Sequence, residues 1–103
     1  MSLALGAVKD KVTTLLGGSL EKLLLFGSRA RGDADSESDV DVAIIVRGLD
    51  SRTKERIFSA IADIELDLLV PVSALVLSDD EFRSLIARER RIALDIQREG
   101  IPL

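Results

Sequence analysis

The sequence predicts a small mixed α/β (α+β) domain: a β-sheet of three to four strands with helices packed on it. Three observations carry that expectation. Apolar residues change between helical and strand periods in the order α-β-loop-β-α-β-α. A chain of 103 residues suits one domain, and a mixture of 47% apolar and 31% charged residues is that of a globular protein. No repeat or linker composition divides the chain, so residues 1–103 are read as a single domain.

Leu5, Val8, Val12, Leu15 and Leu16 recur at spacings of three and four, which predicts an amphipathic helix ended by Gly17 and Gly18. Leu20 to Phe26 is a short apolar run that stops at Gly27, hence a buried strand. From Gly27 to Ser38 the residues are small, polar and charged, which predicts a loop or a loop with one helical turn. Val40 to Val46 is rich in β-branched residues and forms the second strand. Asp50 or Ser51 can cap a second helix whose inner face is Ile57, Ile61, Ile64 and Leu68, with Pro71 enforcing its end. Val72 to Leu77 is the third strand. Ser78 then opens a helix, with Glu81 as capping-box partner and Leu77 and Phe82 as a hydrophobic staple. Arg83 to Gln97 reads as helix, in one piece or two, and Gly100 and Pro102 close the chain.

Composition narrows the chemistry. There is no histidine, cysteine, tryptophan or tyrosine, so serine–histidine triads, thiol nucleophiles and zinc hydrolases are excluded. Fourteen basic and 18 acidic side chains give a net charge of −4, which argues against nucleic acid as a partner. The stretch Leu3–Val8 is too short and too soon charged for a secretory signal, and the apolar run Leu66–Leu77 is too short to span a bilayer. A soluble cytoplasmic protein without a membrane partner is expected. Phe26, Phe58 and Phe82 all fall at core-like positions, leaving no aromatic platform to stack a base.

The informative segment is Phe26-Gly27-Ser28-Arg29-Ala30-Arg31-Gly32, followed by an acidic run that ends in Asp39-Val40-Asp41-Val42. A phosphate-binding P-loop would need Lys and then Ser or Thr after Gly32, where Asp33 and Ala34 stand. A calcium loop counted from Asp33 would need Gly and Glu where Ser38 and Ile44 stand. A nucleotidyl-transfer site fits better. Asp39 and Asp41 are two apart at a strand start, so both carboxylates share one face, their backbones roughly 6.5–7 Å apart. Two such carboxylates can hold magnesium, and a pair of metals can activate an attacking oxygen and stabilise departing pyrophosphate. Gly27 permits close backbone approach to a triphosphate, Ser28 can donate to its oxygens, and Arg29 or Arg31 can neutralise developing charge.

The full spacing, Gly27-Ser28, ten residues, then Asp39-Val40-Asp41, resembles the signature of the DNA polymerase β-like nucleotidyltransferase superfamily. The run Gly-Ser-Arg-Ala-Arg-Gly and then Ser-Asp-x-Asp is similar to that of its minimal nucleotidyltransferases, which are often paired with a helical HEPN partner as a toxin–antitoxin system. The resemblance covers most of the chain. It implies the nucleotidyltransferase fold, and transfer of a nucleoside monophosphate from a triphosphate, ATP foremost, to a hydroxyl acceptor, one on a HEPN-type protein included. Asp39 and Asp41 would be the catalytic and metal-binding pair, taking two magnesium ions or manganese in their place. Gly27 and Ser28, with Arg29 and Arg31, would bind the nucleotide. Active relatives usually carry a third aspartate on the next strand; here the matching position is most naturally Ser73. Asp63 and Asp67 lie upstream as substitutes that no spacing demands.

Three readings stay open: an active transferase completed by another acid, the acceptor or a partner; a nucleotide-binding domain that no longer catalyses; and an antitoxin-type interaction module. So short a chain has room only to complete the sheet, so acceptor recognition would fall to a homo-oligomer or another protein. Arg83, Arg88, Arg90, Arg91 and Arg98 make the C-terminal stretch basic, and an ion-paired helix face is the favoured explanation over a binding patch.

Overall fold

The computed structural model describes residues 3–27, 30, 32 and 39–103. Among them are four α-helices and four strands: α1 (Leu3–Leu16), β1 (Leu20–Phe26), β2 (Val40–Val46), α2 (Ser51–Leu68), β3 (Val72–Ser78), α3 (Asp79–Ala87), α4 (Arg91–Glu99) and β4 (Ile101–Pro102). The sheet runs β3-β2-β1-β4. It is mixed: β2 is antiparallel to β1 and parallel to β3, and β4 is antiparallel to β1. The α2 crossover makes the parallel pair possible, because two parallel strands cannot be joined by a tight turn.

Strand alternation divides the core in two. Val40, Val42, Ile44 and Val46 of β2, with Leu23, Leu25, Val72 and Val76 of its neighbours, pack under α1 and α2. Ala43 and Ile45, with Leu77, pack on the opposite face against Phe82 of α3 and Ala93 and Ile96 of α4. β2 is thus covered on both faces over most of its length, which explains its unbroken apolar run. Asp41 has the parity of Ala43 and Ile45, so it points to the α3–α4 side of the sheet.

The local signals act as expected at the helix ends. Asp50 Oδ1 accepts a hydrogen bond from Thr53 N at 2.7 Å and caps α2. Ser78 Oγ accepts from Glu81 N at 3.0 Å while Glu81 Oε1 accepts from Ser78 N at 3.1 Å, a complete capping box. Helix α2 stops at Leu68, and Leu69 takes a left-handed conformation (φ 53°) before Pro71. Glu65 Oε2 accepts from Val72 N at 3.2 Å and so ties the last turn of α2 to the start of β3. The C-terminal helical stretch is broken at residues 88–90, where Glu89 is left-handed (φ 55°).

Two expectations are corrected. Ile101 and Pro102 do not merely end the chain: they pair with Leu25 and Leu24 as β4, and Leu103 N donates to Leu23 O at 3.0 Å. Phe58 is not a core residue. It is 43% exposed, because it follows Ile57 by one position and therefore points about 100° away from the buried stripe of α2. Phe82 is buried and Phe26 is partly buried, as expected.

Candidate functional site

The elements meet at one corner of the sheet. β1 ends at Phe26, which pairs with Asp41 at the start of β2, and Asp41 in turn lies in register with Ser73 at the start of β3. Val40 N donates to Pro71 O at 3.0 Å, so the β2–β3 pairing holds from the first residue of β2. Cross-strand neighbours in register point to the same side, which puts Ser73 beside Asp41 on the α3–α4 face. Farther along, Ala43, Ile45 and Leu77 on this face are buried by the helices. At the corner the cover stops: Asp41 is partly exposed, and Asp39 and Ser73 are exposed.

Gly27 closes the corner from the β1 side. Its φ is +74°, and a Cβ there would overlap Asp41 Oδ2 and lie 3.1 Å from Asp41 Cγ. The glycine is required twice, for its left-handed backbone and for the carboxylate packed where a side chain would begin. The sequence predicts close approach of backbone to a triphosphate at this position; the close approach in the structure is between the glycine and Asp41.

The donor set is carboxylate, carboxylate and hydroxyl, all hard oxygen. That suits magnesium or manganese, which accept one or two carboxylates and keep water and phosphate oxygens. Asp39 and Asp41 could hold such an ion. Among the described residues no group of three or more acidic side chains gathers as a ready-made metal cage. Asp63 and Asp67 join no such group, and Glu65 is engaged at Val72 N. Ser28, Arg29 and Arg31, with the acidic residues at 33, 35 and 37, lie outside the described residues.

Other features fall away from this corner. A cavity of about 480 Å³ lies along β1 and β4, with Lys22 Nζ 5.7 Å from the Phe82 ring centroid, and its lining includes none of Gly27, Asp39, Asp41 or Ser73. In the basic C-terminal stretch, Arg83 pairs with Asp80 at 2.6 Å and Asp79 at 3.5 Å, and Arg91 with Asp95 at 4.0 Å. The Asp80 hydrogen bond raises the Arg83 pKa above its ordinary value. Arg83 and Arg91 thus pair within their own helices at i,i+3 and i,i+4, which agrees with an ion-paired face at these two positions of the stretch. No helix among the described residues is long and apolar enough to cross a membrane.

Comparison with known proteins agrees with this arrangement. Residues 5–96 match the nucleotidyltransferase domain family. The chain is 36% identical over 69 residues to a Methanocaldococcus jannaschii protein that bears the provisional name protein adenylyltransferase, a match covering 66% of this chain and 70% of the relative. Two solved structures share the fold. One, described provisionally as a minimal nucleotidyltransferase, superposes with a TM-score of 0.63 at 24% identity, over 95% of this chain and 90% of the other. The second, described as a toxin–antitoxin with AMP-PNP, gives a TM-score of 0.58 at 20% identity, over 91% of this chain and 70% of the other.

Proposed function

This chain belongs to the nucleotidyltransferase domain family, and from that membership we propose that it transfers a nucleoside monophosphate, AMP foremost, from a magnesium-bound triphosphate to a hydroxyl of another protein. The observation that supports this most is the packing of Asp41 against Gly27, at a corner where Asp39 and Ser73 are exposed. The adenylyltransferase name of the Methanocaldococcus jannaschii relative favours ATP. The toxin–antitoxin neighbour, solved with AMP-PNP, is in keeping with an adenine nucleotide and a partner protein; that the partner and acceptor is of HEPN type is what the sequence resemblance implies. A single cytoplasmic domain, residues 1–103, would suffice for this half of the reaction, the acceptor chain supplying the other.

Asp39 and Asp41 would hold the metal, with manganese able to replace magnesium. Once bound, such an ion polarises phosphate oxygens and offsets the charge on departing pyrophosphate. Gly27 keeps the Asp41 carboxylate in place and leaves the corner unobstructed by a side chain. Ser28, Arg29 and Arg31 are assigned to the triphosphate. In the reaction an acceptor oxygen–phosphorus bond forms, the α–β phosphoanhydride breaks, pyrophosphate leaves, and the hydroxyl proton is taken up outside this chain's described side chains. Ser73 is no base at neutral pH, so another acid, the acceptor or its own protein would take that proton.

That serine also favours a second reading, a domain that binds nucleotide or neutralises a toxin by contact without turnover. One experiment separates the two. The protein is incubated with magnesium, labelled ATP and the protein encoded beside it. Labelled partner that disappears with Asp39→Asn supports transfer. Magnesium-dependent ATP binding without label supports the second reading, and absence of both removes the site.

A further inference from the structure

The two edges of the sheet differ. On one side β4 is two residues long and contains Pro102, features that discourage further strand pairing. On the other, β3 presents seven residues, Val72-Ser73-Ala74-Leu75-Val76-Leu77-Ser78, with no charge and no proline. It is the last strand in the sheet order, so among the described elements nothing pairs with its outer side. Natural edge strands are usually protected by charge, proline or a bulge, and an unprotected one is a template for pairing.

Helix α2 continues that edge as a surface. Ala60 faces α1 across the groove between the helices. On the opposite flank lie Phe58 and Ala62, with Leu69 just beyond the helix end, and Leu66 continues the row about 40° farther toward the outer surface of the helix. This flank lies on the β3 side, as the Glu65–Val72 hydrogen bond shows. Phe58 is 43%, Leu66 75% and Leu69 86% exposed, so an apolar stripe runs beside the open strand edge.

The charges of α2 indicate what covers it. Its first two turns carry Arg52, Lys54 and Arg56 against Glu55, and its last two carry Asp63, Glu65 and Asp67. The first turn holds no acid and the last no base, the reverse of what the helix dipole favours. On the β3 flank this pattern is carried by Lys54 near the start and Glu65 near the end, so an antiparallel second copy sets Lys54 of each opposite Glu65 of the other, and the opposed dipoles attract. A strand edge pairing with itself across a two-fold axis is likewise antiparallel, so both features call for the same symmetry.

We infer that a second copy of this chain docks on β3 and the outer flank of α2, joining two four-stranded sheets into one. Each copy's open corner lies at the N-terminal end of β3, so the dimer carries its two sites at opposite ends of the shared edge.

Sedimentation velocity on the full chain over a range of concentrations is the test. The expected species has twice the monomer mass. Leu66→Glu places a charge in the stripe without touching the core and should weaken dimerisation about tenfold or more, with the circular dichroism spectrum unchanged. Lys54→Glu, which sets a like charge opposite the other copy's Glu65, should weaken it as well. A wild type that stays monomeric throughout overturns the inference, as does a Leu66→Glu chain that dimerises as tightly as wild type. A different protein, rather than a second copy, shielding Phe58 and Leu66 would also overturn it.

Discussion

Replacing Gly27 by alanine separates backbone strain from damage to the site, provided Gly48→Ala is measured beside it. Both glycines are left-handed, with φ of +74° and +61°. An alanine in that region costs about 1–2 kcal/mol. At Gly48 nothing lies within 4 Å of the added Cβ, so that backbone cost should be the whole effect. At Gly27 the same methyl overlaps the Asp41 carboxylate and must turn it away, adding about 0.5–1.5 kcal/mol if the side chain is forced off its rotamer. Urea unfolding should therefore show Gly48→Ala down by about 1–2 kcal/mol and Gly27→Ala by about 1.5–3.5. Titration calorimetry with magnesium-ATP should show the sharper contrast. Gly48→Ala should bind as wild type, whereas displacing Asp41 should weaken binding about tenfold or more, a loss of about 1.4 kcal/mol. Equal binding by Gly27→Ala and wild type would refute the placement of Asp41 in the site. Equal loss by Gly48→Ala would show that general destabilisation, not the carboxylate, is responsible.

Three further outcomes follow from particular residues. Ser73→Asp places a third carboxylate in register with Asp41; it should lower the thermal midpoint without metal and raise manganese affinity, and a midpoint unaffected by manganese would contradict the shared face. Ser78→Ala removes half of the capping box at the start of α3 and should cost about 0.5–2 kcal/mol in urea unfolding, without altering nucleotide binding. Hydrogen bonding from Thr53 N holds the Asp50 carboxyl below the usual aspartate range. A folded-state pKa below the unfolded one means that this stabilisation is present above the unfolded value and disappears as pH falls through the folded value. Asp50→Asn, still able to cap, should lack that acid-side loss when stability is followed from neutral to acid pH; identical acid profiles would contradict the cap.

Much of the fold was legible because its signals are local. Val40–Val46 reads as a strand from its β-branched residues alone, and Ser78 with Glu81 announces a helix start that the hydrogen bonds repeat. Leu69 shows how far such reasoning reaches: Pro71 correctly marks the end of α2, but the chain leaves the helix two residues earlier through a left-handed leucine. What escaped depends on distant partners. β4 is two residues long, too short to show a period, and exists because Leu24 and Leu25 pair with it. Phe58 looks like core because apolar character says nothing about which flank a neighbouring element covers. At the site, the spacing of Asp39 and Asp41 predicts a shared face, whereas β2 itself begins at Val40; the matching of Ser73 to an expected acid position agrees with its register beside Asp41. The contact of Gly27 with Asp41 joins residues 14 positions apart, and no local pattern contains it.

The central claim is that Asp39 and Asp41 make the corner a magnesium–nucleotide site, and calorimetric titration of ATP into the protein with and without magnesium tests it most directly. Wild type should bind ATP tightly only when magnesium is present, and the Asp39→Asn/Asp41→Asn double variant, still folded by circular dichroism, should lose that dependence. Magnesium-dependent binding that survives in the double variant would contradict the claim, as would wild-type binding indifferent to the metal.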